Sequence, residues 1–203
     1  MSAPDYYQLS TRFLPARYQA ALLLEHARVC EIEPARLLAG TTLATADLFD
    51  AERLISPAEY LQLLANLQGA LNSADTSFLI GAQLLPGHYG HLSHALLHAV
   101  DLRQAITILI DHQAWLSPLL APHFVIHGGD AVLYWTDSCM HARQRGFVVE
   151  MMMAAVSGMA RWLAGIRLPW RYRFNRTRPT HIEQYAVHLG PDLHWLYAVS
   201  SGN

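Results

Sequence analysis

The stretch "FVVEMMMAAVSGMARWLAG", residues 147–165, is apolar around most of a helical circumference. A helix of that kind persists in water only when other elements cover it on more than one side. Glu150 and Arg161 interrupt the run and leave it too short for a membrane span. We therefore read residues 147 to 164 as a sandwiched core helix covering a sheet, around which the rest of the chain is arranged. With 52% of its 203 residues hydrophobic, the chain has material for one good-sized core.

Upstream, the periodicity is helical. After Pro15, the residues Tyr18, Ala21, Leu22, Glu25 and Val29 recur at spacings of three and four, which predicts a mostly apolar face with one acidic flank. "EIEPARLLAGTT" reads as a loop. In "SPAEYLQLLANLQGAL" Ser56 is placed to cap a helix, Pro57 suits its first turn and Glu59 closes the capping box, with Tyr60, Leu63, Leu64, Leu67 and Leu71 as the buried stripe. Asp101 opens another helix, with Gln104 three residues on; Leu102, Ala105, Ile106, Leu109 and Leu116 point inward, and Pro118 ends it.

Beyond Pro118 the period changes. "HFVIHGGDAVLYW" predicts a hairpin turning at Gly128, Gly129 and Asp130. "WRYRF" alternates, with Trp170, Tyr172 and Phe174 on one face and Arg171 and Arg173 on the other. A short helix follows with Thr180 as cap, Glu183 three residues later and Gly190–Pro191 as stop, and "LHWLYAV" closes as a strand through Leu193, Trp195, Tyr197 and Val199. The order predicts an α+β fold: N-terminal helices followed by a small, mostly antiparallel sheet packed against helices. We expect a single unit over residues 1–203, helical to about residue 120 and α+β from about 121.

Chemistry-bearing residues are scattered. His88, His91, His94 and His98 in "PGHYGHLSHALLHAV" fall within an arc of roughly 120° on a helix, to one side of Leu92, Ala95, Leu96 and Ala99. Imidazoles at such spacing suit a metal, a ligand or a wet face. The lack of a histidine–glutamate motif favours the solvated or interface-facing reading over the other two, and Gly87 and Gly90 argue against a helix reaching back to His88. Cys30 and Cys139 lie far apart, which fits two buried thiols in a reduced compartment better than a disulfide framework. Cys139 and His141 are neighbours, but proximity in sequence does not align a nucleophile with a base. There is no Gly-x-Ser-x-Gly elbow, and "IHGGDA" lacks the lysine of a phosphate loop. We expect no enzyme, no cofactor and no bound metal. The N-terminus has no secretory pattern, and a net charge of -2 gives this chain no broad cationic surface for nucleic acid.

A binding reading fares better. Tyr134 and Trp135 end one strand and Arg173 projects from a neighbouring one; aromatics with a few polar groups line small-molecule pockets, and an arginine there suits a carboxylate. These three are the predicted ligand contacts, against the alternative that the aromatics are core and the arginines solvated. The methionines make an adaptable apolar wall or plain core.

The segments "RLISPAEYLQLLANL", "FLIGAQLLPGHYGHLSHALLHAVDLRQAITIL", "FVIHGGDAVLYW" and "LPWRYRFNRTRPTHIEQYAVHLGPDLHWL" together resemble the N-terminal effector domain of the "arabinose-binding" branch of AraC-type transcription regulators. Gly90, Ala95 and the run Asp101-Leu102-Arg103-Gln104-Ala105 match that branch's Gly-rich bend, small-residue helix and capped helix, with Asp101 for the usual Ser or Thr. The resemblance implies a cytoplasmic, homodimeric sensor that binds a small-molecule effector. It contacts DNA only through a C-terminal helix-turn-helix module, which does not occur before Asn203. The histidine row has no counterpart in that pattern. Two other readings stay open: a dimerisation domain without a ligand, and a metal-binding sensor or enzyme built on the histidine row.

Overall fold

The computed structural model describes residues 6–139 and 143–195. A first short strand, β1 (Leu14–Pro15), pairs antiparallel with β2 (Leu54–Ile55), and the chain between them folds over as α1 (Gln19–Val29) and α2 (Pro34–Leu38). Ala20, Leu23, Leu24 and Ala27 are the most deeply buried residues of α1, whereas Val29 is 82% exposed. The predicted stripe is therefore out of phase at its end: α2 and the helices packed on α1 bury a wide arc centred one residue further round. The segment read as a loop at "EIEPARLLAGTT" contains α2. Pro34 starts it without losing a needed hydrogen bond, and Leu37 and Leu38 are buried.

Helix α3 (Pro57–Leu71) begins as the sequence predicts. The Glu59 amide donates to Ser56 Oγ at 3.2 Å and the Ser56 amide donates to Glu59 Oε2 at 3.0 Å. Tyr60, Leu63, Leu64 and Leu67 are buried and Leu71 lies at the core's edge. α4 (Thr76–Leu84), which periodicity alone does not reveal, crosses α8 (Arg145–Ala164) at very close range. A methyl group on Gly81 would stand 2.2 Å from the Met151 carbonyl oxygen, so only glycine fits that crossing. The apolar helix thus packs chiefly on another helix rather than on a sheet. By length and composition α8 is apolar enough to cross a membrane, but more than half of it is buried within the protein, as befits a core helix.

Between these two helices the chain forms α5 (His91–Leu97), α6 (Leu102–Asp111), α7 (Gln113–Leu116) and the hairpin β3 (Leu120–His127) and β4 (Asp130–Asp137). Asp101 caps α6, accepting from the Gln104 amide at 2.8 Å. The helix expected to run on toward Pro118 breaks at His112, and Leu116 is buried from the separate turn α7. In the hairpin, Gly128 and Gly129 have φ of +59° and +88°, the left-handed pair that a two-residue turn requires. Val125 faces Val132 and His123 faces Tyr134 across the ladder.

After α8 come β5 (Tyr172–Phe174), α9 (Ile182–His188) and β6 (Leu193–Trp195). Tyr172 and Phe174 are buried and Arg173 is exposed, as the alternation predicts. β5 and β6 pair in parallel with α9 as the crossover, which a parallel pair needs. Among the described residues the strands therefore form three two-stranded pairs, two antiparallel and one parallel, in an α+β fold. Thr180 does not cap α9; His181 occupies that position without a side-chain capping bond. Tyr197 and Val199 lie outside the described residues.

Candidate functional site

Two small cavities meet along a wall made by Gln19 and Tyr60. Gln19 opens α1, and its Nε2 donates to the carbonyls of Trp115 and Leu116 at 3.0 and 3.1 Å, tying α1 to α7. Tyr60 stands in the first turn of α3, where the Ser56 cap sets the start of the helix. On one side the wall faces Leu14, Tyr18, Ile55 and Trp115; on the other it faces Leu119, Val148, Met151 and Met152. Each cavity gives the centre of a water molecule about 10 Å³, which is room for about one water.

The polar groups of this seam include two buried donors that line the cavities. The Tyr60 hydroxyl and the Trp115 Nε1–H, and outside the two cavity linings the Tyr89 hydroxyl, are buried without a hydrogen-bond partner of good geometry, and such groups normally find one. Burial pushes both phenols up; Tyr89 adds to the rise at Tyr60, while the Gln19 side chain offsets part of it at Tyr89. Both are therefore neutral hydroxyls at any ordinary pH. Tyr18 meets Tyr89 edge to face at 5.5 Å, closing the side toward α5.

A second cluster joins α4, α8 and α9. Glu150, largely buried, accepts hydrogen bonds from Ser77 at 2.6 Å, from Arg176 at 2.5 Å and from the Tyr185 hydroxyl. The Arg176 guanidinium lies 5.6 to 5.9 Å from the ring centres of Tyr185, Phe174 and Trp195. It passes over Gly146, where a Cβ would stand 2.3 Å from its nitrogen. Phe78 stacks on His188 at 5.0 Å. The cation has its carboxylate and its aromatic rings, although the Arg176 Nε–H and the Trp195 Nε1–H are buried without a hydrogen-bond partner.

The sequence-predicted contacts fall elsewhere. Tyr134 is 44% exposed on the outer face of the hairpin and stacks on His123 at 4.9 Å. Trp135, on the opposite face, is partly buried between the main core and the cluster around Tyr172 and Phe174. Arg173 is exposed on β5. The structure does not gather the three at one point, and none of them lines the two cavities. His88, His91, His94 and His98 are all exposed, as the solvated reading expects, and α5 starts at His91 with Gly90 at a φ of +59°. Among the described residues no group of three or more His, Cys, Asp or Glu side chains converges as metal ligands do. Burial pushes the Cys139 thiol up to about 11, which keeps it protonated and a poor nucleophile. His141 lies outside the described residues.

Residues 32–195 match the family described as the arabinose-binding domain of AraC transcription regulator, N-term. The chain belongs to this family. A comparison with curated proteins gives no match. An AraC-type domain of this branch is a ligand-sensing regulatory domain, not a member of a known enzyme family. Within it the Gly-rich bend serves the packing of the core. Ser93 Oγ accepts from the Tyr89 amide and donates to the Gly87 carbonyl, both at 2.7 Å, and so fixes Tyr89 in place. Sequence reasoning missed Gln19, Tyr60 and Trp115 as a group. One signal for them was present, a glutamine at the first position of a helix whose neighbours are otherwise apolar.

Proposed function

We propose that residues 1–203 act as one cytoplasmic regulatory unit that binds a small-molecule effector in the seam between Gln19 and Tyr60, pairs with a second copy, and controls a DNA-binding module in a longer chain. The observation that carries the site is the set of buried, unpartnered donors beside two cavities that share one wall. Family membership supports the regulatory role. The seam holds no acid–base pair and no activated nucleophile, so its chemistry is recognition. An effector acts only by preferring one conformation; here that is the conformation in which the shared wall of Gln19 and Tyr60 opens and the two cavities join. Ligand-dependent rises in melting temperature, followed by titration on the Tyr60→Phe variant, test the site. A broad metabolite screen without any shift, together with no effect on promoter binding by a full-length protein, sinks the reading.

A second location is favoured by the stack of Tyr134 on His123, whose Nε2 is hydrogen-bonded to Thr136 at 2.8 Å. If the effector lies against the outer face of the hairpin, Tyr134 is its proposed contact; Trp135, on the opposite face, and Arg173, on β5, would reach it only from other sides. Tyr134→Ala then abolishes the thermal shift, while Tyr60→Phe leaves it intact. The same outer face carries exposed Val125 and Val132, and we propose it as the pairing surface. Sedimentation equilibrium checks this: a dimer that Val132→Lys converts to monomer is expected, and a concentration-independent monomer excludes it.

A further inference from the structure

We infer that the seam takes a neutral, largely apolar molecule with a single hydrogen-bonding group, in the class of medium-chain alcohols, rather than a sugar or an amino acid. This rests on reading the seam as the effector site, and three observations carry it.

The first is charge. No Lys, Arg, His, Asp or Glu lines either cavity. A carboxylate or ammonium entering the seam loses its water and finds no counter-ion, and burying an unpaired ion is strongly unfavourable.

The second is the count of available partners. Both Nε2 hydrogens of Gln19 are spent on the Trp115 and Leu116 carbonyls, and Ser117 Oγ donates to the Leu120 carbonyl at 2.6 Å. Of the buried side-chain donors lining the seam, the Tyr60 hydroxyl and the Trp115 Nε1–H are left without partners. They are matched by one hydroxyl or carbonyl on a ligand. A sugar brings several hydroxyls, most of which would be stranded against leucine, isoleucine and methionine side chains. The family's description names arabinose; the seam of this chain lacks the polar lining that a sugar needs.

The third is shape. The cavities share the wall of Gln19 and Tyr60 and each holds about one water as it stands, so a larger occupant enters only as that wall opens them into one space. Met151 and Met152 form its far end, and methionine is the side chain that most readily yields to a new occupant.

The experiment uses the 203-residue protein with N-phenyl-1-naphthylamine, a neutral apolar fluorophore that brightens out of water. Near-stoichiometric binding is expected, displaced by 1-decanol and not by L-arabinose, L-arginine or decanoate. Met152→Trp, which fills one cavity, abolishes probe binding; if that variant fails to fold, Ala20→Leu does the same from the other cavity. Tyr60→Phe keeps the fold and the probe but weakens 1-decanol about fivefold, the worth of one hydrogen bond. Binding of arabinose, arginine or decanoate that Tyr60→Phe weakens, with no binding of 1-decanol, overturns this inference and leaves the sensor reading standing. Probe binding indifferent to every seam variant overturns the seam as its site. No binding by any of these compounds or across the wider screen overturns the sensor reading itself.

Discussion

The Glu59 carboxylate gathers the start of α3 and the turn before β2 into one knot. It accepts from Arg12 at 2.9 Å, from the Thr42 hydroxyl at 2.8 Å and from the Ser56 amide at 3.0 Å. Burial alone raises its pKa, but the Ser56 amide, the Thr42 hydroxyl and the Arg12 charge outweigh that and hold it below the ordinary 4.5. A carboxylate depressed in the folded state contributes stability that is complete above its unfolded pKa and lost as pH falls through the folded one. His188, stacked on Phe78, is lowered from 6.5, mainly by burial. Its sign is the same: the unfolded chain takes up the proton first, so stability falls as pH drops below 6.5. Melting temperature should therefore decline in two steps on acidification, one below pH 6.5 and one below 4.5. His188→Gln should shrink the first step, to which His26, also lowered by burial, contributes, and Glu59→Gln should shrink the second. Removing the cap with Ser56→Ala should cost about 1 kcal/mol in urea denaturation.

Among elements, the crossing of α4 and α8 is the tightest contact. Gly81→Ala places a methyl group against the Met151 carbonyl, and forcing the two helices apart should cost about 3 kcal/mol or more. Gly158→Ala, 3.4 Å from the Ala82 carbonyl, needs only a small adjustment and should cost far less. The Glu150 clasp fastens the β5–α9–β6 unit to these helices. Glu150→Gln leaves Arg176 over the aromatic rings without its anion, and because Arg176 is about one-third exposed the loss should be about 2 kcal/mol, less than for a fully buried pair. Limited proteolysis of residues 165–181 should accelerate in that variant. How much of each element was legible follows from how local its cause is. The Ser56–Glu59 box, the Asp101–Gln104 cap and the Gly128–Gly129 turn are each written within a few residues. α4 is apolar on nearly every side and shows no phase to read. The arc buried on α1 depends on which helices cover it, and the parallel pairing of β5 with β6 depends on α9 as a crossover.

For the molecule as a whole, a ligand bound only to the folded state at a hundred times its Kd adds about 2.7 kcal/mol. For a chain of this size that is a rise of roughly 5 to 10 °C in melting temperature. The seam is placed to transmit such binding, since α8 carries Met151 and Met152 toward the cavities and Glu150 into the clasp. We predict that ligand occupancy protects the amides of α9 from hydrogen exchange, and that Glu150→Gln removes this protection and, because coupling is reciprocal, weakens binding at the seam.

Where the deciding interaction lies within about five residues, the amino-acid order mostly sufficed, the Thr180 cap being an exception. Caps, the hairpin turn, the exposed histidine row and the alternation of "WRYRF" all belong there, and the family follows from their succession. The seam does not. Gln19 reaches the Trp115 carbonyl across 96 residues, and Tyr60 joins them only because α3 packs between. Whether a tyrosine hydroxyl deep in a core has a partner depends on what stands opposite it, and long-range packing alone supplies that neighbour.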